Sequence, residues 1–322
     1  MNLSYIQKLF CLDGQKAVVT GASSGIGRAI AVSLANFGAE VALLGRSAAG
    51  LKETHRLIGE AGGVCEDYIV DISSTGEQER FFKEYIDRHG RLDIFIANAG
   101  INIRAELPDA RLEDMETLIH TNYIGTMFGM IQAANQMKLQ RSGNIVVITS
   151  INGLSPLINQ AVYSSIKFGL EGAMRCLAGS MAEYGVRVNS CAPGCVHSAG
   201  NRHIFDKEHF RKAKEAAIPL GKIGDPEDIG DVVATMVSDA YRFMTGSTIL
   251  VDGGELMRPK QKQPQAESYK RPQHESRRLR RRPTASHKKA RRNQAHIRPF
   301  PSRFSNLCNI SALLPELPIL NH

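Results

Sequence analysis

Tyr163 and Lys167 stand four residues apart in "NQAVYSSIKFGLEGAM", a run with helical patterning. Residues i and i+4 share a helix face, so the phenol and the ammonium can meet. A free phenol titrates near pH ~10 and exchanges protons poorly at neutrality; bringing it to about 7 takes about 4 kcal/mol. One positive charge at about 4 Å supplies about 4 kcal/mol at an effective dielectric of about 20. The expectation is that Lys167 makes Tyr163 a usable acid and base for a carbonyl or alcohol oxygen. Of the 8 Tyr in the chain, only Tyr163 has Lys at the fourth following place, so the pair is distinct.

A second constellation is "TGASSGIG", with Gly21, Gly25 and Gly27 in GxxxGxG spacing around Ser23, Ser24 and Ile26. Glycines let the chain turn tightly and let a pyrophosphate approach the backbone, facing the amino terminus of the next helix. An acidic residue ending the second strand would bind a ribose 2′-hydroxyl and repel a 2′-phosphate. That place reads "LLGRS", with Arg46. A guanidinium can hold a phosphate by paired charge-assisted bonds. NADP is therefore favoured and NAD remains open, the alternative being that Arg46 is an ordinary loop residue. Asp71, in "IVDIS", either accepts from an adenine amino group or caps the next turn.

The elements that must hold these residues alternate. "KAVVT", "EVALLG", "VCEDYIVD", "LDIFIANAG", "GNIVVITS", "VRVNSCAPG" and "STILVDGG" read as strands. Between them lie helical patterns near 48–61, 77–89, 112–138, 161–184 and 226–239, after a first one in "IGRAIAVSLANFG". Apolar strands alternating with amphipathic helices imply a parallel sheet covered on both faces. Right-handed connections give a three-layer α/β/α, Rossmann-type doubly wound sheet of about seven strands. Ligands bind such sheets at the carboxyl ends of the strands, where the strand order reverses.

"TGASSGIG", "ANAG", "ITSINGL", "YSSIK", "VNSCAPG" and "VDGG", in this order and spacing, resemble the classical short-chain dehydrogenase/reductase family over about 12–254. The resemblance implies a nicotinamide-dependent oxidoreductase acting on a carbonyl or secondary alcohol. It implies a catalytic set of Asn122, Ser150, Tyr163 and Lys167, with Ser150 bonding the substrate oxygen and Asn122 in a proton relay. It implies cofactor contacts from the glycine turn, Arg46, Asp71, Ile72, Asn98, Ala99, Gly100, Tyr163, Lys167, Pro193, Gly194 and Val196. Ser198 falls where the family usually has a Thr on the nicotinamide amide. "ANAG" has Ala97 where "NNAG" is commoner, which leaves Asn98 free to brace the sheet edge. The resemblance also implies a homo-oligomer, commonly a tetramer, built through the helices near 112–138 and 161–184.

The segment near 198–220 lacks the strand–helix rhythm and reads as a lid over the substrate. Arg104, Arg202 and His203 favour a carboxylate or polar sugar acid, a polyol is the other substrate kept, and "AGINIR" resembles the loop of gluconate 5-dehydrogenases. The 3-oxoacyl-carrier-protein reductases share every core motif and are the rival; a non-catalytic dinucleotide sensor would not need the phenol and its Lys.

The chain has 322 residues and a formal net charge of +8. Residues 258–322 carry 16 Lys and Arg against 3 Asp and Glu, a net +13, which leaves −5 on residues 1–257. Two parts are expected: a folded domain over 1–257 and a basic, disordered tail over 258–322. The tail is either a solvated appendage or a nucleic-acid contact, and either a genuine extension or the product of a shifted reading frame. The first residues lack the apolar run of a secretory signal, and no membrane span is expected. The six Cys are scattered, with no zinc spacing; reduced thiols in a cytoplasmic enzyme without a metal are the reading.

Overall fold

The computed structural model describes residues 2–197 and 206–257. Ser198, Arg202, His203 and the tail from residue 258 lie outside the described residues. Seven parallel strands form one sheet in the order β3-β2-β1-β4-β5-β6-β7. They are β1 Lys16–Thr20, β2 Glu40–Gly45, β3 Cys65–Ile69, β4 Ile94–Ala97, β5 Gly143–Ile148, β6 Val186–Pro193 and β7 Thr248–Val251. Val18 of β1 stands between Ala42 of β2 and Phe95 of β4. The order reverses there, which opens the crevice at the carboxyl ends of β1 and β4.

The helices are α1 Leu3–Phe10, α2 Gly25–Asn36, α3 Ala48–Glu60, α4 Thr75–His89, α5 Leu112–Leu118, α6 Thr126–Gln140, α7 Ala161–Met181, α8 Glu208–Ala217 and α9 Pro226–Val237. Side chains alternate across each strand, so the central strands bury both faces. Ala17 and Val19 pack with Ile30 and Leu34 of α2, Leu51 of α3 and Val233 of α9. Val18 between them packs on the other side with Phe82 of α4, Met130 of α6 and Leu170 of α7. This gives the three layers that the continuous apolar runs imply.

Three departures from the sequence reading matter. The expected helix over 112–138 is interrupted: Ile119–Gly125 is a π-helical segment between α5 and α6. α8 gives part of the expected lid a regular helix, starting at Glu208. Residues 3–10, read only for lack of a signal, form α1, whose Asn2 side chain accepts from the Tyr5 amide.

Candidate active site

β1 ends in Thr20, and the chain turns through Gly21 at φ +71° and Gly25 at φ +54° into α2. Both glycines occupy the left-handed region that side chains disfavour. A Cβ on Gly21 would lie 2.9 Å from Ala99 Cα and from Asn98 Nδ2. One on Gly27 would collide with the Gly21 carbonyl oxygen and the Asn98 amide. Ser24 begins α2 without a side-chain cap bond, so no side chain of its own covers the first N–H groups of the helix. Arg28, which the sequence reading did not single out, ties this turn to its neighbours. Its guanidinium donates to the Ser23 carbonyl at 2.6 Å and the Thr54 hydroxyl at 3.0 Å.

The end of β4 is fixed to the same place. Asn98 Nδ2 donates to the Thr20 carbonyl at 2.8 Å. The Asn98 and Ala99 amides donate to Thr20 Oγ1 at 2.9 and 3.0 Å. Asn98 thus braces the two strands as expected, with Thr20 as an unanticipated partner. Gly100 follows, exposed at the crevice.

At the outer edge Arg46 Nη1 lies 3.6 Å from Asp71 Oδ2, with the Arg46 side chain 65% exposed. Asp71 Oδ1 accepts from the Ser73 amide at 2.9 Å and hydroxyl at 2.8 Å, the turn-capping alternative. Burial works against the Asp71 carboxylate, yet these donors and the Arg46 charge hold it below the usual carboxylate range. Ile72 is mostly buried, and its carbonyl accepts from Gln78 Nε2 at 2.6 Å.

Ser150 directly follows Thr149 at the end of β5. Its Oγ accepts from the Asn152 amide at 3.1 Å and stands close enough to the Tyr163 phenol to favour its ionised form. Lys167, 5% exposed, donates from Nζ to the Ile148 carbonyl at 2.7 Å. That ammonium sits 5.7 Å from the Tyr163 ring centroid. Ser150, Tyr163 and Lys167 therefore meet as the motifs imply.

The electrostatics differ from the expectation. Burial pushes the Tyr163 phenol up, and Ser150 acts the other way without overcoming it. Burial also brings the Lys167 ammonium down to about 8, opposed by the Glu171 carboxylate. The helical spacing is right, but one N–H of the ammonium is directed to the Ile148 carbonyl, and desolvation dominates at the phenol.

Asn122 lies in the π-helical segment and is fully buried. Its Oδ1 accepts from the Ile101 amide at 2.8 Å, and its Nδ2 donates to the Ile101 carbonyl at 2.7 Å. Both ends of the side chain are bonded to backbone, so the Asn122 amide clamps the loop after β4. Pro193 ends β6 and Gly194 runs close to β7, where a Cβ would lie 2.6 Å from Asp252 Cβ. Val196 is buried and bridges to Gly224. The Cys195 amide donates to Glu255 Oε2 at 3.2 Å, and Glu255 pairs with Lys214 of α8.

A glycine cradle before α2 and a Ser–Tyr–Lys cluster share the carboxyl edge of one doubly wound sheet. A family model described as enoyl-(acyl carrier protein) reductase matches residues 21–255. The 3β-hydroxysteroid dehydrogenase 1 of Eggerthella lenta is 33% identical over 77% of this chain and 96% of its own length. The 3-oxoacyl-[acyl-carrier-protein] reductase of Rattus norvegicus is 35% identical over 73% of this chain and 95% of its own. A structure from Beutenbergia cavernae, provisionally described as an NAD(P)-dependent gluconate 5-dehydrogenase with bound NADP at low occupancy, superposes with a TM-score of 0.74. It is 33% identical and covers 77% of this chain and 99% of its own. The chain belongs to the short-chain dehydrogenase/reductase family and is an oxidoreductase acting on CH–OH groups.

Proposed function

We propose that this protein is an NADP-preferring enzyme that interconverts a ketone and a secondary alcohol, with a hydroxylated carboxylic acid of the gluconate type as substrate. The carrying observation is the meeting of Ser150, Tyr163 and Lys167 at the carboxyl end of β5, on the sheet edge that also holds the glycine cradle. The glycine turn and the amino terminus of α2 suit a pyrophosphate, and exposed Arg46 suits a 2′-phosphate, which would displace Asp71 as its partner. Asn98, Ala99 and Gly100 on one side, with Pro193, Gly194 and Val196 on the other, would border the nicotinamide half. The bound cofactor supplies or accepts the hydride. Tyr163 exchanges the proton at the substrate oxygen, Ser150 donates a hydrogen bond to that oxygen as charge develops, and Lys167 steadies the phenolate.

Arg104 supports an acidic substrate. Its guanidinium has no hydrogen bond or ion pair with any described residue, and its charge pulls the Cys195 thiol down against the burial that pushes it up. It stands exposed in the loop after β4, next to the bridge between Ala105 and Gln160. The likeness to the rat reductase favours the second reading, reduction of a 3-oxoacyl thioester. Measuring NADPH oxidation with keto-sugar acids and with 3-oxoacyl thioesters separates them; turnover of neither, in a protein that binds NADPH, would leave only the sensor reading.

Ile119, Ile124, Ile131, Leu139 and Phe168 are exposed on the π segment, α6 and α7, which supports a homo-oligomer, with a homotetramer as the reading. No helix among the described residues is long and apolar enough to cross a membrane, and the five Cys among them are free. Free thiols support a reducing, cytoplasmic setting.

A further inference from the structure

Glu171 has no role in the chemistry above, yet it is 4% exposed. It stands on α7 one turn beyond Lys167 and two beyond Tyr163, on the same face. Thr149 Oγ1 donates to its Oε1 at 2.6 Å and Thr248 Oγ1 to its Oε2 at 2.6 Å. Ser190 Oγ lies 3.0 and 3.1 Å from the two oxygens. Ser190 also reaches Thr248 Oγ1 at 2.9 Å, and a carboxylate, an acceptor only, fits this ring of hydroxyl donors. A fully buried carboxylate needs a compensating charge. Arg175 of α7 reaches only 3.9 Å and is 59% exposed. The other titratable groups that feel this carboxylate are Lys167 of α7 and the buried Cys191 thiol of β6.

Three consecutive residues face three side chains of α7 that are spaced by single helical turns: the Ile148 carbonyl accepts from Lys167, the Thr149 hydroxyl donates to Glu171, and Ser150 stands beside Tyr163. We propose that Glu171 is a positioning residue for the reaction: it supplies the buried negative charge that holds Lys167 as an ammonium, and it fixes α7 against the strand end that carries Ser150. The inference rests on the reading of Tyr163 and Lys167 as the proton-exchanging pair. Without Glu171 the ammonium would face burial with only a carbonyl partner. It would lose its proton at lower pH, and the phenolate left by each reduction would lose its support.

The test is Glu171→Gln, which keeps the shape and an acceptor oxygen but removes the charge. In the reductive direction the alkaline fall of kcat moves to lower pH by about one unit, while NADPH affinity stays within twofold. Glu171→Asp, which keeps the charge, returns the fall toward its original pH. A uniform loss of kcat with the alkaline fall unmoved would overturn the proposal, because that is what a merely structural role produces.

A thermal cycle reads the charge pairing without any turnover. Lys167→Met leaves Glu171 with only the exposed Arg175, at 3.9 Å, as a charge partner, so adding Glu171→Gln to it raises Tm. A double variant no more stable than Lys167→Met overturns the pairing. If Glu171→Gln alone is not recovered folded, this comparison decides by itself. Should the wild-type protein fail to turn over any ketone while the cycle behaves as stated, the proposed function fails and the charge pairing stands.

Discussion

A half-buried phenol beside a buried ammonium does not become acidic by proximity alone. Desolvation raises the Tyr163 phenol, and the neighbouring Ser150 lowers it without overcoming that effect. Tyr163→Phe should lower kcat by roughly 10²–10⁴-fold, the range of general acid–base catalysis, with NADPH binding by fluorescence titration unchanged. Lys167 is held down to about 8. It is an ammonium below that pH and neutral above it, so reductive kcat should hold on the acid side and fall as pH rises through about 8. A profile flat to pH 10 would separate Lys167 from the reaction. At the cofactor end, Arg46→Ala should weaken NADPH by about 1.5–3 kcal/mol, roughly ten- to hundredfold in Kd, and leave NADH nearly untouched. Equal loss for both cofactors would mean that Arg46 reads no 2′-phosphate.

Among the elements, the π-helical segment is the feature that no pattern in the sequence announced. The apolar spacing of residues 112–138 continues through it, so periodicity reads one helix. Its place is set by contacts from elsewhere in the chain: Asn122 clamps Ile101, and Gly125 passes where a Cβ would strike the Ile72 carbonyl. π-helical turns are rare and cluster at functional sites. Asn122→Ala leaves two backbone groups of Ile101 without partners, which should cost about 2–4 kcal/mol in denaturant unfolding. If stability held and only kcat fell, Asn122 would instead act in the relay that the family resemblance implies. The glycine turn, by contrast, was legible to the residue. GxxxGxG is a local steric code, and the φ values of Gly21 and Gly25 are what the code requires. Thr20, Arg28 and Glu171 were not legible, because a lone Thr, Arg or Glu in a strand or helix has no spacing rule. Each acquires its function from partners 5 to 79 residues away.

For the molecule as a whole, the family match ends at residue 255 and the charge reverses sign from residue 258 onward. A chain truncated after Met257 should keep kcat/KM within about twofold and lose any salt-sensitive retention on DNA; slopes of binding against salt would count the phosphate contacts. Retention that survived truncation would place nucleic-acid binding in the domain, against its net −5. Light scattering on both forms should give four times the chain mass if α6 and α7 build the homotetramer.

The sequence by itself determined the sheet, its layers, the cofactor turn and the Tyr–Lys pair, since each follows from local periodicity, glycine sterics or residue spacing; Ser150 joined that pair through the family resemblance. Tertiary structure alone decided how those groups behave. The direction of the Tyr163 shift, the clamping task of Asn122 and the buried carboxylate behind Lys167 depend on which charges are desolvated together and which backbone groups need partners. Chain order does not encode those quantities, because they arise only when distant segments exclude water from the same volume.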